Sequence, residues 1–237
     1  MFENAVVLDS KIHGDHKTLP INDYSYARNA LSIPLSVSEI GQASREFPIV
    51  FAASGKLVPI AQMGFQADGN IYIDHDGKWT AKYIPAHIRR FPFVFGENTT
   101  AGQYTIMVDA NSISTKGEGE RLFDNGNIPD GGIVDRARTF LSEFQRELNQ
   151  TENLLKPLQD ADILVPRTIT IREGDKVIGH VRDLRVVDRE KLAALDDATL
   201  AGWVRSGLMG VILAHLQSLD NWNNQQGLTD AKASETA

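Results

Sequence analysis

The run Ile71-Tyr72-Ile73-Asp74-His75-Asp76-Gly77-Lys78-Trp79-Thr80-Ala81-Lys82-Tyr83-Ile84 sets Asp76-Gly77 between two β-forming segments. Asp-Gly suits the positive-φ turns whose twist matches that of paired strands. The dipeptide therefore predicts a hairpin with strands over residues 71–74 and 79–84. Toward the N-terminus, the apolar runs 49–53 and 58–65 flank Ser54-Gly55-Lys56, a second turn signal. Residues 104–108 read as a further strand. Before this β-rich block, Ser36-Val37-Ser38-Glu39 has the spacing of a capping box, with Ser36 as N-cap and Glu39 three residues on. A short helix is expected from there to about residue 46, because Pro48 cannot continue it. Residues 1–35, punctuated by Pro20 and Pro34, read as irregular or partly extended.

The character changes after the long connection 117–132, which holds five glycines and one proline. Ile133, Ala137, Phe140, Leu141, Phe144 and Leu148 recur at helical spacing with charges between them. This helix is expected to end or kink at Pro157. Residues 163–165, 168–172 and 177–187 read as strands, with Glu173-Gly174-Asp175 turning between the last two. A short helix over 188–195 should follow, then a longer one capped by Asp196 or Asp197 and reaching Leu219. The fold expectation is α+β. An antiparallel β-rich N-terminal part and a helical C-terminal part form one compact unit over 1–224, with a sub-boundary near residue 130 as the alternative. A flexible polar tail, 225–237, closes the chain.

Composition narrows the function classes. The chain has 237 residues, 42% hydrophobic and 23% charged, which is ordinary for a globular protein. A net charge of −7 supplies no bulk attraction to nucleic acid or to an anionic membrane, so no nucleic-acid partner is expected. With no cysteine there is no disulfide, thiolate metal site or cysteine nucleophile, which suits a cytoplasmic protein. The start Met1-Phe2-Glu3-Asn4 lacks the basic segment and apolar core of a secretory signal, and none is expected. The longest apolar run, 208–216, contains His215 and falls short of the roughly 20 residues that span a bilayer. No membrane span is expected, and a permease subunit is excluded on that reading.

Two groups of residues offer chemistry. His13-Gly14-Asp15 is an H-x-D triplet. With a distant histidine, His215 or His180, it has the donor set of a facial-triad iron site. A polar turn is the competing reading, and for His215, among Leu213, Leu216 and Leu219, so is a satisfied core histidine. The stretch 70–95 gathers one Trp, two Tyr, three Phe, two Arg and two Pro. There Arg89 and Arg90 suit a carboxylate or phosphate, with Trp79 and Tyr83 as a stacking wall. A packed aromatic core under a charged rim accounts for the same residues. Gly131-Gly132 ahead of a helix can present backbone N–H groups to an anion, or simply join loop to helix.

Several segments together resemble the SapC family of bacterial proteins: His13-Gly14-Asp15, Glu46-Phe47-Pro48-Ile49-Val50-Phe51, and Asn70-Ile71-Tyr72-Ile73-Asp74 with Gly77-Lys78-Trp79. Tyr83-Ile84-Pro85 through Arg89-Arg90-Phe91-Pro92-Phe93, Gly119-Glu120-Arg121-Leu122-Phe123-Asp124 and His215-Leu216-Gln217-Ser218-Leu219 complete the set. The likeness covers roughly residues 5–222. It implies an association with the bacterial surface layer (S-layer) or with TonB-type uptake of peptides and other nutrients, and it implies no particular reaction. His16 stands where the family often has an aromatic residue after His-Gly-Asp. The expected function is a soluble accessory or binding protein whose ligand is a small molecule, peptide or protein. The alternative is a metal-dependent oxygenase or hydroxylase using His13, Asp15 and His215. The sequence names no cofactor. Trp203 and residues 208–219 suit a homodimer interface as well as a core.

Overall fold

The computed structural model describes residues 1–53, 55–65, 69–97, 104–173, 176–223 and 225. In chain order the N-terminal part contains β1 (Ala5–Val7), α1 (Ser10–His13), β2 (Lys17–Thr18), β3 (Ser32–Pro34), α2 (Val37–Ala43), β4 (Ile49–Ala52), β5 (Pro59–Gln62), β6 (Gly64–Phe65), β7 (Gly69–Asn70), α3 (Ala86–Arg89), β8 (Phe93–Glu97), β9 (Tyr104–Asp109) and β10 (Ile113–Ser114). The C-terminal part contains α4 (Ile133–Asp160), β11 (Leu164–Glu173), β12 (Lys176–Val187), α5 (Arg189–Ala193), α6 (Asp197–Ser206) and α7 (Leu208–Ser218). The fold is α+β and compact, with antiparallel sheets in the N-terminal part and helices in the C-terminal part.

Two sheets organise it. A five-stranded sheet runs β11-β12-β4-β5-β3 and a three-stranded sheet runs β1-β9-β8. Along β4, alternate side chains part company. Ile49 and Phe51 enter the large core with α2, α7 and the end of α4, while Val50 faces a small satellite cluster with Leu184 and Val186. This is the period-two rule of an extended chain. The three-stranded sheet packs Phe93 and Val108 against Val134 and Leu141 of α4. One long helix thus serves both cores: its first half covers the small sheet, and Leu155 and Leu158 lie in the large core.

The capping box forms as expected at Ser36 and Glu39. Asp188 and Asp196 cap α5 and α6 through side-chain oxygens. Three expectations need correction. The Asp76-Gly77 turn is present, with Gly77 at φ +82, but a single bridge, Ile73 to Trp79, replaces the paired strands. The reason is that Ile71, Tyr72 and Ile73 are all buried, which a half-exposed strand does not allow. The Trp79 indole N–H also donates to the Tyr83 carbonyl at 2.9 Å, folding that segment back on itself.

The expected single helix to Leu219 breaks at Gly207, whose φ of +85 makes a left-handed cap. α6 and the helical segment after it stand at 88°. α4 runs three residues past Pro157. A proline in the last turn costs only the bond to the carbonyl four residues back. The strand β8 was hidden in the aromatic stretch. The Gly174-Asp175 part of the last predicted turn lies outside the described residues, as do 226–237 of the expected tail. Gln225 is described, and its amide donates to the Gln62 carbonyl at 2.5 Å from a fully buried position. No single helix is long and apolar enough to cross a membrane among the described residues. The apolar residues of the bent α6–α7 pair, Trp203, Leu208 and Ile212 among them, lie in the core.

Candidate functional site: an arginine-rimmed apolar pocket

The site is built around α3, a single turn that needs outside support. Glu39 of α2 supplies it. One carboxylate oxygen accepts from the Ser36 backbone N–H at 2.9 Å and so closes the capping box. The other accepts from Tyr83 Oη at 2.8 Å and from the Ala86 backbone N–H at 2.7 Å. A buried carboxylate from one helix therefore caps the first turn of another. Burial, and then the Glu39 charge, push the Tyr83 hydroxyl far above its ordinary pKa. Tyr83 acts as a fixture that holds α3.

Trp79 lies elsewhere, among Tyr24 (5.8 Å between ring centres), Phe47 (6.3 Å) and Tyr72 (6.3 Å). Trp79 and Tyr83 are thus not brought together with the arginines as one stacking wall. Tyr83 shares a small polar cavity of about 310 Å³ with Arg89, Phe140 and Glu147, and Trp79 does not line it.

Arg89 and Arg90 diverge. The exposed Arg89 lies 5.3 Å over the Phe140 ring of α4, and its Nε donates to the Ile84 carbonyl at 3.0 Å. Arg90 turns inward, 5.3 Å over the ring of Phe2. Its Nη2 lies 3.1 Å from His87 Nε2. A guanidinium can only donate, so His87 accepts at Nε2 and carries its proton on Nδ1. Burial, then the Arg90 charge, lower His87 to a pKa of about 3, so the ring is neutral at physiological pH. Burial alone lowers Arg90 to about 10, which leaves it charged at pH 7. Its Nε is buried without a hydrogen-bond partner among the described residues.

Both arginines line a cavity of about 350 Å³ between the end of α3, the start of α4 and the chain around Leu19 and Ile21. Phe91, Phe93, Ile133, Phe140 and Leu141 make its walls mainly apolar. Arg136 also reaches the cavity, but its two terminal nitrogens contact both Glu120 oxygens, at 3.2 and 2.7 Å. Arg89 and Arg90 have no carboxylate partner among the described residues. An unneutralised guanidinium beside apolar walls can orient a carboxylate or phosphate whose hydrocarbon part fills the cavity.

The residues of the iron-site alternative are not assembled. His13 is buried on α1, where Nδ1 accepts from the Asp9 backbone N–H at 3.1 Å, and Asp15 is exposed beyond it. His180 is an exposed residue of β12 beside Thr170. His215 is fully buried. Its Nδ1 donates to the Ile49 carbonyl at 2.7 Å and its Nε2 accepts from the Val187 N–H at 3.1 Å. Both ring nitrogens are therefore occupied by backbone, and no lone pair is left for a metal. Among the described residues no three His, Asp or Glu are grouped to hold a metal ion. Neither His13 nor Asp15 lines the arginine pocket. Gly131 and Gly132 lead into α4, and the Gly131 N–H is taken by Asp135 Oδ2 at 3.1 Å.

Sequence reasoning missed His87, the partner of Arg90, and the pocket residues Arg136 and Phe140. The signal for the last two was available. Ile133, Arg136, Ala137, Phe140 and Leu141 share one face of a helix, and the arginine on that face marks where the apolar stripe meets the rim.

Fold and pocket together describe an α+β protein with an arginine-rimmed apolar cavity. The SapC family model matches residues 8–224, and the chain belongs to the SapC family. No curated protein and no solved structure matches it.

Proposed function

We propose that the protein binds, without transforming it, a small organic anion with an apolar body, seated in the cavity of about 350 Å³ with Arg90 reading its charge. The observation that carries this reading is Arg90 itself. Its guanidinium is largely withdrawn from water, has no carboxylate partner among the described residues, and leaves Nε unpaired at an apolar wall. A partly desolvated cation without a counter-charge costs stability, and an incoming carboxylate or phosphate offsets that cost. The one hydroxyl among the lining residues, Thr18, is directed at the Glu120 carbonyl, 3.4 Å away. The lining therefore favours binding over nucleophilic chemistry.

The test is thermal unfolding with octanoate against octanol as the neutral match. At a hundred times its dissociation constant a ligand adds about 2.7 kcal/mol, which is roughly 5–10 °C in Tm for a chain of this size. Octanoate should give such a shift and octanol a much smaller one. Equal shifts would remove the role of the charge.

The family resemblance supports a setting for this binding: an accessory role in the cytoplasm, beside S-layer or TonB-type nutrient and peptide uptake systems. Fractionation of the native cells tests the location. Recovery of the chain in the culture medium or outer envelope would contradict it.

A further inference from the structure

We propose that the groove between the outer half of α4 and the β8–β9 strand pair is a carbohydrate-binding site, independent of the arginine pocket. The two walls of this groove do not match as a packed core would. On the sheet side, Phe93 pairs with Val108 and Phe95 with Ile106, so these side chains share one face. The inner part of that face is covered by Val134 and Leu141 of α4. Further out, α4 turns its apolar stripe away: Thr151, Leu155 and Leu158 are buried, the leucines in the large core. What α4 then presents to Phe95 and Tyr104 is polar, chiefly Gln145, Arg146, Asn149 and Asn153. A space of about 610 Å³ separates the aromatic floor from this amide wall, a size that suits a small ligand.

Each wall has the chemistry of one half of a sugar. The Phe95 and Tyr104 rings stack with an offset, 5.2 Å between centres and 18° from parallel, and form a stepped aromatic platform. Tyr104 is 46% exposed. A pyranose ring offers an apolar C–H face to such a platform and a rim of hydroxyls to the opposite wall. Each hydroxyl both donates and accepts, as a carboxamide does. Gln145 Nε2 donates to Asn149 Oδ1 at 3.3 Å, which leaves the Gln145 oxygen and the Asn149 nitrogen without protein partners among the described residues. Arg146 has no acidic partner among them either. Asn is a poor helix former, yet α4 carries Asn149 and Asn153 one turn apart on this face. A role in recognition explains their place better than helix stability does.

The experiment uses the full chain on an array of neutral and acidic hexopyranose oligosaccharides, with titration calorimetry on any that bind. At least one oligosaccharide should bind. Tyr104→Ala and Asn149→Ala should each weaken it at least tenfold, with Tyr104→Phe staying within threefold of the parent. Circular dichroism should show each variant folded. Three results would overturn the proposal. The first is a blank array. The second is a bound glycan whose affinity stays within twofold in Tyr104→Ala. The third is binding of an extended peptide, and of no glycan, that Tyr104→Ala abolishes.

Discussion

Acid should weaken this fold through His215, and the size of the effect follows from its surroundings. The ring is fully buried, with one nitrogen donating to Ile49 and the other accepting from Val187. Burial lowers its pKa to about 4, outweighing the Ile49 hydrogen bond, which acts the other way. In the unfolded chain a histidine titrates near 6.5. Between those values the unfolded state holds a proton that the folded state refuses, so stability rises with pH. The contribution is complete above about pH 6.5 and is lost as pH falls toward 4. One proton costs about 1.4 kcal/mol per pH step, which sums to roughly 3 kcal/mol over the interval. His87, lowered to about 3, acts in the same direction.

The assay is urea unfolding at pH 7.5, 5.5 and 4.5 for the parent and His215→Gln. Glutamine can still donate and accept but does not titrate. The variant should be less stable at pH 7.5 yet lose stability more slowly with acid, the slopes differing by about one proton. Carboxylates contribute alike to both chains and cancel in the difference. Equal slopes would refute the reasoning. So would a native-state His215 resonance that titrates near pH 6.5.

Glu39→Ala should cost roughly 3–5 kcal/mol, because it strands the buried Ser36 and Ala86 N–H groups and the Tyr83 hydroxyl together. A loss below about 1 kcal/mol in chemical unfolding would contradict the Glu39 anchor. Gly207→Ala should cost about 1 kcal/mol, measured by the same unfolding experiment. Its φ is +85 but a Cβ there meets open space, so the cost is in the backbone alone. Gly119→Ala places a Cβ 1.7 Å from the Thr18 carbonyl oxygen. It should displace the chain along the arginine pocket, lowering Tm and weakening octanoate together. Unchanged octanoate affinity would detach that chain from the site.

What the sequence made legible was local. Ser36 and Glu39 announced a capping box because both partners lie within one turn, and Asp188 and Asp196 announced helix starts for the same reason. Gly207 was passed over because the apolar pattern continues on both sides of it, and only its backbone angle makes the break. The Asp76-Gly77 turn was legible, but its flanks were not strands, because Tyr72 and Trp79 are drawn into a cluster with Phe47.

The candidate site divides along the same line. That residues 85–92 carry two arginines among aromatics was plain. Which arginine turns inward depends on α3's register, fixed by Glu39 at a separation of 47 residues, and on contact with Phe2. His215 is the satisfied core histidine that its apolar neighbours suggested, but its partners were not legible, being backbone groups 166 and 28 residues away. Backbone partners leave no mark in side-chain patterns.

Whether Arg90 reads a bound anion is tested most directly by a double-mutant cycle in ligand and protein. Titration calorimetry would measure octanoate and octanol against the parent and Arg90→Gln. A partly desolvated guanidinium–carboxylate pair is worth about 1.5–3 kcal/mol, or roughly 10–150-fold in Kd. Arg90→Gln should remove most of the preference for octanoate while changing octanol affinity by less than about threefold. If the preference survives in Arg90→Gln with the fold intact, Arg90 is only a rim over the aromatic core, and the proposed site is wrong.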